Sequence, residues 1–103
     1  MDTVACMIRH IVLFTWTDDA TDEQKAAVAE ALGTLPGLIP QLRAYTFGQD
    51  AGINQGNHDF AVVADFDSVD DYLVYRDHPD HQAVIAERIK PIVASRAAVQ
   101  LSL

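Results

Sequence analysis

Two segments of this 103-residue chain each predict a β-strand that is apolar on both of its faces. The first predicted strand, Ile8 to Thr17, contains the apolar run from His10 to Phe14, and the third, His58 to Phe66, is equally apolar in its middle. Side chains alternate between the two faces of a strand, so a continuous apolar run indicates that both faces are covered. Any fold of this chain must therefore place a layer of protein on each side of the sheet.

The signals for the first helix lie between the first two predicted strands. Thr21 followed by Gln24 is a capping-box pattern, which satisfies backbone N–H groups at the start of a helix. Gly33 weakens the far end of this helix, and Pro36-Gly37 with Pro40 predicts that the helix stops there.

Strand and turn signals continue the pattern along the rest of the chain. Leu42 to Gly48 predicts a second strand, residues 49–57 a loop rich in Gly and Asn, and Ala97 to Leu103 a fourth strand. Ser68, with Asp71 three residues later, predicts the cap of another helix. Pro91 is expected to kink or end the last helix.

The order strand, helix, strand, strand, helix pair, strand is that of a ferredoxin-like α+β domain with an antiparallel four-stranded sheet. The predicted helices are enough to cover one face of such a sheet, which leaves the second face of the first and third strands without a layer. A second copy of the same sheet is the simplest cover. We therefore predict a homodimer in which the two sheets meet face to face as an α/β barrel.

The segment from Tyr75 to His81 gathers proton-exchanging side chains at a predicted corner between helices. The residue before a proline avoids helical geometry, so one helix is expected to end near Asp77 and the next to begin at Pro79 or Asp80. Histidine's ordinary pKa near 6.5 makes His81 the candidate general acid or base, with Tyr75 polarising a carbonyl oxygen. The alternative is that both residues only fix the corner by hydrogen bonds.

Other candidate residues have a structural interpretation beside the functional one. His78 either caps the following helix with a ring nitrogen or contacts a substrate. His10 lies on an otherwise apolar strand face, as a core residue or as a ligand contact, and the second is favoured if His10 and His81 line one cavity. Tyr72 is most simply a core or interface residue. The spacing of the His and Asp residues around Pro79 matches no usual zinc pattern, so no metal is predicted.

Composition excludes several classes of function. With 15 acidic and 7 basic residues, the chain has a net charge of −8, which argues against binding the phosphate backbone of nucleic acids. No apolar run is long enough for a membrane span and no secretory signal is visible, so we expect a cytoplasmic protein. Cys6 is the single cysteine. Residues 1–7 are expected to be a disordered leader and residues 8–103 one domain, with either Met1 or Met7 as the natural start.

Several motifs on these elements resemble one family. They are Arg9–Phe14, Thr21 with Glu23-Gln24, Leu35-Pro36 with Ile39-Pro40, His58–Val63 with Phe66-Asp67-Ser68, Tyr75 with His78-Pro79-Asp80-His81, and Lys90-Pro91. Together they resemble the stress-responsive A/B barrel domain proteins, a branch of the dimeric α/β-barrel superfamily. The resemblance runs from Ile8 to about Val99, and it implies a dimeric barrel with a cavity between helices and sheet.

The resemblance also implies site residues. One member of the family is a polyketide cyclase that closes a linear chain by an aldol-type condensation. Its catalytic tyrosine and the last histidine of its His-Pro-x-His motif match Tyr75 and His81, and a pocket histidine on its first strand matches His10. On the third strand the cyclase has a histidine where this chain has Phe60, and His58 is displaced from that place by about 6–7 Å.

Functions of different classes follow from this sequence. In the first, the dimer holds a small apolar or aromatic molecule in a cavity lined by His10, Tyr75 and His81. There His81 removes a proton next to a carbonyl that Tyr75 orients, without a cofactor. In the second, the protein is a non-catalytic, stress-associated dimer or larger ring. Haem-degrading or oxygenase chemistry ranks last, because no motif specifies a cofactor.

Overall fold

The computed structural model of this protein describes residues 7–103. The first half contains β1 (Ile8–Trp16), α1 (Asp22–Leu38), β2 (Ala44–Gln49) and β3 (Phe60–Phe66). The second half contains α2 (Val69–Asp77), α3 (Pro79–Val84), a π-helical turn (Ile85–Ile89) and β4 (Val93–Ser102). The order of elements is the one predicted from the sequence.

The four strands form one antiparallel sheet in the order β2-β3-β1-β4. β1 and β3, the two strands predicted to be apolar on both faces, are the central pair, with Val12 opposite Val62. β4 lies at the edge beside β1, where Gln100 is opposite His10. This arrangement confirms the predicted ferredoxin-like α+β fold.

The helices pack on one face of the sheet and form the core with it. Along β1 the side chains that face the helices are buried, and the side chains between them are partly exposed. The buried core consists of Val12, Phe14, Trp16, Val28, Leu32, Leu35, Ile39, Phe60, Val62, Ala64, Phe66, Tyr75, Val84, Ile89 and Ile92. One layer of helix therefore covers one face of the sheet, as predicted.

The other face of the sheet has no covering layer within residues 7–103. Ile11 lies between Val63 and Val99 across the neighbouring strands, and all three are partly or largely exposed. Val99 is 49% exposed and Leu101 is 41% exposed. The central strands are thus apolar on a side that a single chain leaves open.

α1 continues past the predicted stop. It runs through Pro36 to Leu38, and the backbone N–H of Ile39 still donates to the carbonyl of Leu35 at 2.9 Å. Leu35 and Ile39 are fully buried at 0% exposure, so packing holds the last turn although proline lacks an N–H. Capping at the other end is as predicted, because Thr21 and Gln24 form both bonds of the capping box.

Strand ends also differ from the prediction. β2 begins at Ala44 rather than Leu42, because the Leu42 N–H bonds the Ile39 carbonyl in a turn. β3 begins at Phe60 rather than His58. β4 begins at Val93, four residues before the predicted Ala97, because its pairing with β1 extends to Trp16.

The leader predicted for residues 1–7 lies outside the described residues except for Met7. The carbonyl of Met7 accepts a hydrogen bond from the backbone N–H of Leu103 at 2.9 Å. Met7 is therefore paired with the end of β4. Among residues 7–103, no helix combines the length and the apolar character that crossing a membrane requires.

Candidate functional site

A cavity of about 290 Å³ lies between the helices and the inner face of the sheet. This volume is at the lower end of the range for small-molecule sites. Every element except β2 contributes to its lining, which consists of His10, Val12, Phe14, Leu32, Val62, Tyr72, Tyr75, Arg76, His81, Gln82, Ile85, Ile89, Lys90, Val93 and Arg96. Thus the structure brings His10, Tyr75 and His81 to one cavity.

Local structure explains how these side chains meet. His10 shares the inward face of β1 with Val12 and Phe14, because strand side chains alternate. Tyr72 and Tyr75 are three residues apart on α2, so they point to the same side of the helix. α2 ends at Asp77, as predicted, and the corner places the first turn of α3 next to Tyr75.

Only one ring nitrogen of His81, Nδ1, has a side-chain hydrogen bond within residues 7–103. Its Nδ1 lies 3.2 Å from the backbone oxygen of Arg76, and because a carbonyl only accepts, Nδ1 is the donor. The neutral ring therefore carries its proton on Nδ1 and a lone pair on Nε2. Burial lowers the pKa of His81, against the effect of hydrogen bonds to the backbone of Arg76 and Tyr75, and the charge of Arg96 lowers it further. A neutral imidazole with an unprotonated Nε2 has the chemistry that a general base requires.

His10 has the opposite tautomer. The Nε2 amide of Gln100 lies 2.8 Å from Nδ1 of His10, so Nδ1 accepts and the neutral ring carries its proton on Nε2. His10 is only 4% exposed. Burial first, and then the charge of Arg96, lowers the pKa of His10 to about 4. At neutral pH the cavity therefore holds one imidazole that accepts a proton and another that donates a hydrogen bond.

Tyr75 packs against His81 and bonds to a second tyrosine. The rings of Tyr75 and His81 are stacked with centroids 4.0 Å apart. The hydroxyl of Tyr75 lies 3.1 Å from the hydroxyl of Tyr45 on β2. Burial raises the pKa of Tyr75 to about 12 and also raises the pKa of Tyr45, so both stay phenols. With Tyr45 as donor, Tyr75 keeps its own O–H for a carbonyl oxygen.

His78 lies at the corner and does not belong to the lining of this cavity. Its Nδ1 accepts a hydrogen bond from the backbone N–H of Asp80 at 3.1 Å, which caps α3. The capping role foreseen for His78 is therefore present. The assignment of His78 as a substrate contact stays a prediction.

The third strand contributes no imidazole to the cavity. Phe60 is 2% exposed, with its ring 5.6 Å from Trp16 and 6.4 Å from Phe47. His58 points elsewhere, with Nδ1 2.9 Å from the hydroxyl of Thr15. The strand position that carries a histidine in the cyclase thus belongs to the aromatic core here.

The site contains residues that sequence reasoning missed. Tyr72 was assigned to core or interface, but it lines the cavity with its ring 5.0 Å from His10. Its position three residues before Tyr75 was an available signal. Tyr45, Gln100 and Arg96 had no local signal, because strand pairing brings them to the site from distant parts of the chain.

Two other hollows of about 360 Å³ lie near the loop that follows β2. Both are open to solvent, and neither contains His10, Tyr75 or His81. Within residues 7–103, no group of three His, Cys, Asp or Glu side chains is placed to hold a metal ion.

The buried neutral state of His10 predicts a pH-dependent stability. The pKa of His10 is about 4 in the folded protein, below its ordinary value near 6.5, so the unfolded chain binds the proton first as pH falls. Stability from this group is therefore complete above about pH 6.5 and decreases towards pH 4, by roughly 2 kcal/mol. Urea unfolding between pH 7.5 and 4.5 measures this loss.

The control for this prediction is His10→Gln, whose side chain is neutral throughout that range. The free energy of unfolding of this variant is expected to vary less with pH, while the contribution from His81 remains. Equal pH slopes in the variant and the wild type would contradict the assignment to His10.

Fold and cavity together define a class of protein, namely a ferredoxin-like α+β domain with a cavity between its helices and its sheet that two histidines line. Residues 8–103 match the family model of the stress responsive A/B barrel domain. The chain belongs to that family, which confirms the resemblance seen in its motifs.

Individual relatives agree with this assignment. An uncharacterized protein of Streptomyces coelicolor is 34% identical over 82 residues, which are 78% of this chain and 84% of the relative. A dimeric ferredoxin-like protein of unknown function from Thermobifida fusca is 50% identical, with a TM-score of 0.90 over 96% of this chain and 92% of that one. The hydroxynitrile lyase of Passiflora edulis is 19% identical, with a TM-score of 0.83 over 96% and 94%, and this likeness shows the fold.

Proposed function

We propose that this protein is a cofactor-independent acid–base enzyme that acts on a small carbonyl compound in the cavity. The observation that carries the proposal is the contact between Nδ1 of His81 and the Arg76 carbonyl, which fixes the tautomer of the ring. The Arg76 carbonyl holds the Nδ1 proton, which leaves an unprotonated Nε2 on a residue of the cavity lining. A lowered pKa keeps this imidazole neutral, and therefore basic, at physiological pH.

The reaction begins with His81 removing a proton from the carbon next to the carbonyl group. The electron pair of that C–H bond forms the enolate, whose oxygen accepts hydrogen bonds from the Tyr75 O–H or the His10 Nε2–H. The enolate carbon then attacks a second carbonyl of the same molecule, as in a polyketide cyclase, and the alkoxide that forms takes the proton from His81. Alternatively, the enolate carbon takes that proton back itself. Val12, Val62 and the other apolar side chains of the lining keep water away from the enolate.

The fold is compatible with such chemistry. The Passiflora relative of the same fold is a hydroxynitrile lyase. In this chain His10 supplies a hydrogen-bond donor and His81 a base, so both halves of an acid–base pair line the same cavity.

The test is exchange of solvent deuterium into the carbon next to a ketone, followed by NMR. Phenylacetone and 4-oxo-4-phenylbutanoate are suitable probes, because each has one aromatic ring and exchangeable protons beside its carbonyl. We expect the wild-type protein to accelerate exchange by about 10²-fold or more over an equal concentration of free imidazole. Exchange no faster than with imidazole for both probes would reject the enzymatic proposal.

A specific observation favours the non-catalytic alternative. Both His81 and the Gln82 side chain donate to the Arg76 carbonyl, so the same residues close the end of α2. In that alternative, the corner contributes to stability and the protein is a stress-associated structural dimer. Thermal stability and exchange rate of a His81 variant, measured together, separate the two functions.

We further propose that the protein is a homodimer joined through the open face of the sheet. Exposed Val99 and Leu101, together with partly exposed Ile11 and Leu13, form an apolar surface on that side. The Thermobifida relative, which is 50% identical over the aligned residues, is dimeric. A second copy of the sheet would bury these side chains.

Val99→Asp is expected to dissociate this dimer. An aspartate in an apolar interface has to lose hydration without a partner, so we expect the dimer dissociation constant to rise by about 100-fold or more. Light scattering coupled to gel filtration measures the change. Val74→Asp is the matched control, because Val74 on α2 is 43% exposed and lies on the helical side. Equal effects of both variants, or none, would contradict the proposed interface.

A further inference from the structure

Basic residues are concentrated at the cavity although the chain is acidic. Of the 7 basic residues in the chain, Arg76, Lys90 and Arg96 are in the lining. None of the acidic residues among residues 7–103 is in the lining. The cavity therefore has a local charge opposite to the net charge of −8.

Two of these three cations form no ion pair with any residue that the structure describes. Arg76 is bound by the neighbouring carboxylate of Asp77 at 2.9 and 3.0 Å. For Lys90 and Arg96, no carboxylate of residues 7–103 lies within 4.0 Å. Their charges are available to a bound molecule.

Arg96 is placed to reach a ligand next to the imidazoles. Arg96 lies on β4 and is paired with Phe14 of β1. Its side chain therefore shares the inward face of the sheet with His10 and Gln100. Its positive charge also disfavours protonation of both His10 and His81, which agrees with a position near both rings. Lys90 follows the π-helical turn and completes the basic rim of the cavity.

The body of the cavity is apolar. Aliphatic side chains from the sheet and from the helices, such as Val12, Val62 and Ile85, contribute to its lining. A ligand that fits both parts has an aromatic or acyl body and one anionic end. A guanidinium matches a carboxylate with two parallel hydrogen bonds, and the ammonium of a lysine adds a point charge.

We propose that the ligand of this cavity is a small carboxylate, whose apolar body lies against the sheet and whose carboxylate is bound by Arg96 and Lys90. This inference rests on the proposed function for the cavity and names its substrate class, an aromatic or acyl keto acid. In this orientation the carboxylate lies at the rim, and the ketone reaches inward towards His81.

The experiment compares 4-oxo-4-phenylbutanoate with its methyl ester by isothermal titration of the wild-type protein. The two probes differ only in the charge of one end. We expect the acid to bind about 10-fold more tightly than the ester, and the difference to shrink as salt is raised. Equal affinities for acid and ester would overturn the inference, as would binding of neither.

Arg96→Gln and Arg88→Gln form the matched pair of variants. Both remove one positive charge from an exposed arginine, but only Arg96 is in the lining. We expect Arg96→Gln to abolish the roughly 10-fold preference for the acid and Arg88→Gln to preserve it. An equal loss in both would mean that general charge, rather than this site, attracts the acid.

These experiments test the carboxylate site and the enzymatic activity independently. If the acid is preferred but wild-type protein catalyses no exchange, then the carboxylate site stands and the enzymatic proposal is rejected. If exchange occurs without preference for the acid, then the enzyme stands and the carboxylate is rejected. His81→Ala is expected to keep the preference for the acid, because it leaves Arg96 and Lys90 in place.

Discussion

Replacing His81 with alanine is expected to lower the rate of deuterium exchange by about 10²- to 10⁴-fold, the usual contribution of a general base. The variant lacks the free Nε2 at the cavity, while His10 remains as a hydrogen-bond donor. His10 does not replace the base, because its Nε2 carries a proton and its Nδ1 is occupied by Gln100. Exchange rates measured by NMR at saturating 4-oxo-4-phenylbutanoate test this expectation.

His78→Ala is the control from the same corner. It removes the ring nitrogen that caps α3, which costs about 1 kcal/mol in stability, but it leaves the His81 Nε2 in place. We expect this variant to unfold at a lower temperature and to retain its exchange rate. If both variants lose stability and neither changes exchange, then the corner is structural and the non-catalytic function is supported.

Replacing Phe66 with alanine is expected to lower the free energy of unfolding by about 3–5 kcal/mol. Phe66 is 0% exposed, and its ring centroid lies 5.1 Å from that of Tyr75 and 5.6 Å from that of Tyr72. Truncation leaves a void beneath the two tyrosines of the cavity wall. The total free energy of unfolding of a small domain is about 5–15 kcal/mol, so this loss is a large fraction of the stability.

Urea unfolding at a fixed protomer concentration measures the effect, since dimerisation makes apparent stability depend on concentration. Ile53→Ala is the control, because Ile53 is 83% exposed and the expected change is within about 0.5 kcal/mol. A loss below about 1 kcal/mol for Phe66→Ala would mean that the core repacks around the void.

Local signals predicted most of the fold. The capping box at Thr21, the cap at Ser68 and the break before Pro79 each depend on neighbouring residues, and each is present in the structure. The end of α1 was less predictable, because Pro36 is retained in the helix by burial of Leu35 and Ile39. Tertiary packing here outweighs the local preference of proline.

Only part of the site could be predicted from the sequence. His10, Tyr75 and His81 were found because their residue types and the family resemblance single them out. The bond between Gln100 and His10 spans 90 residues, and the bond between Tyr45 and Tyr75 spans 30. Such partners depend on strand register, which the alternation of side chains does not specify between strands distant in sequence.

The position of Lys90 at the cavity rim depends on the number of residues in the π-helical turn. The Lys90 N–H bonds the carbonyl of Ile85, five residues back, so this turn holds one residue more than an α-helical turn. Removing that residue would restore α-helical geometry, in which each residue advances by about 100° around the axis. The ammonium of Lys90 would then leave the rim, although no residue of the lining has been substituted. Insertion and deletion at this turn thus offer evolution a way to alter ligand charge preference without any substitution in the lining.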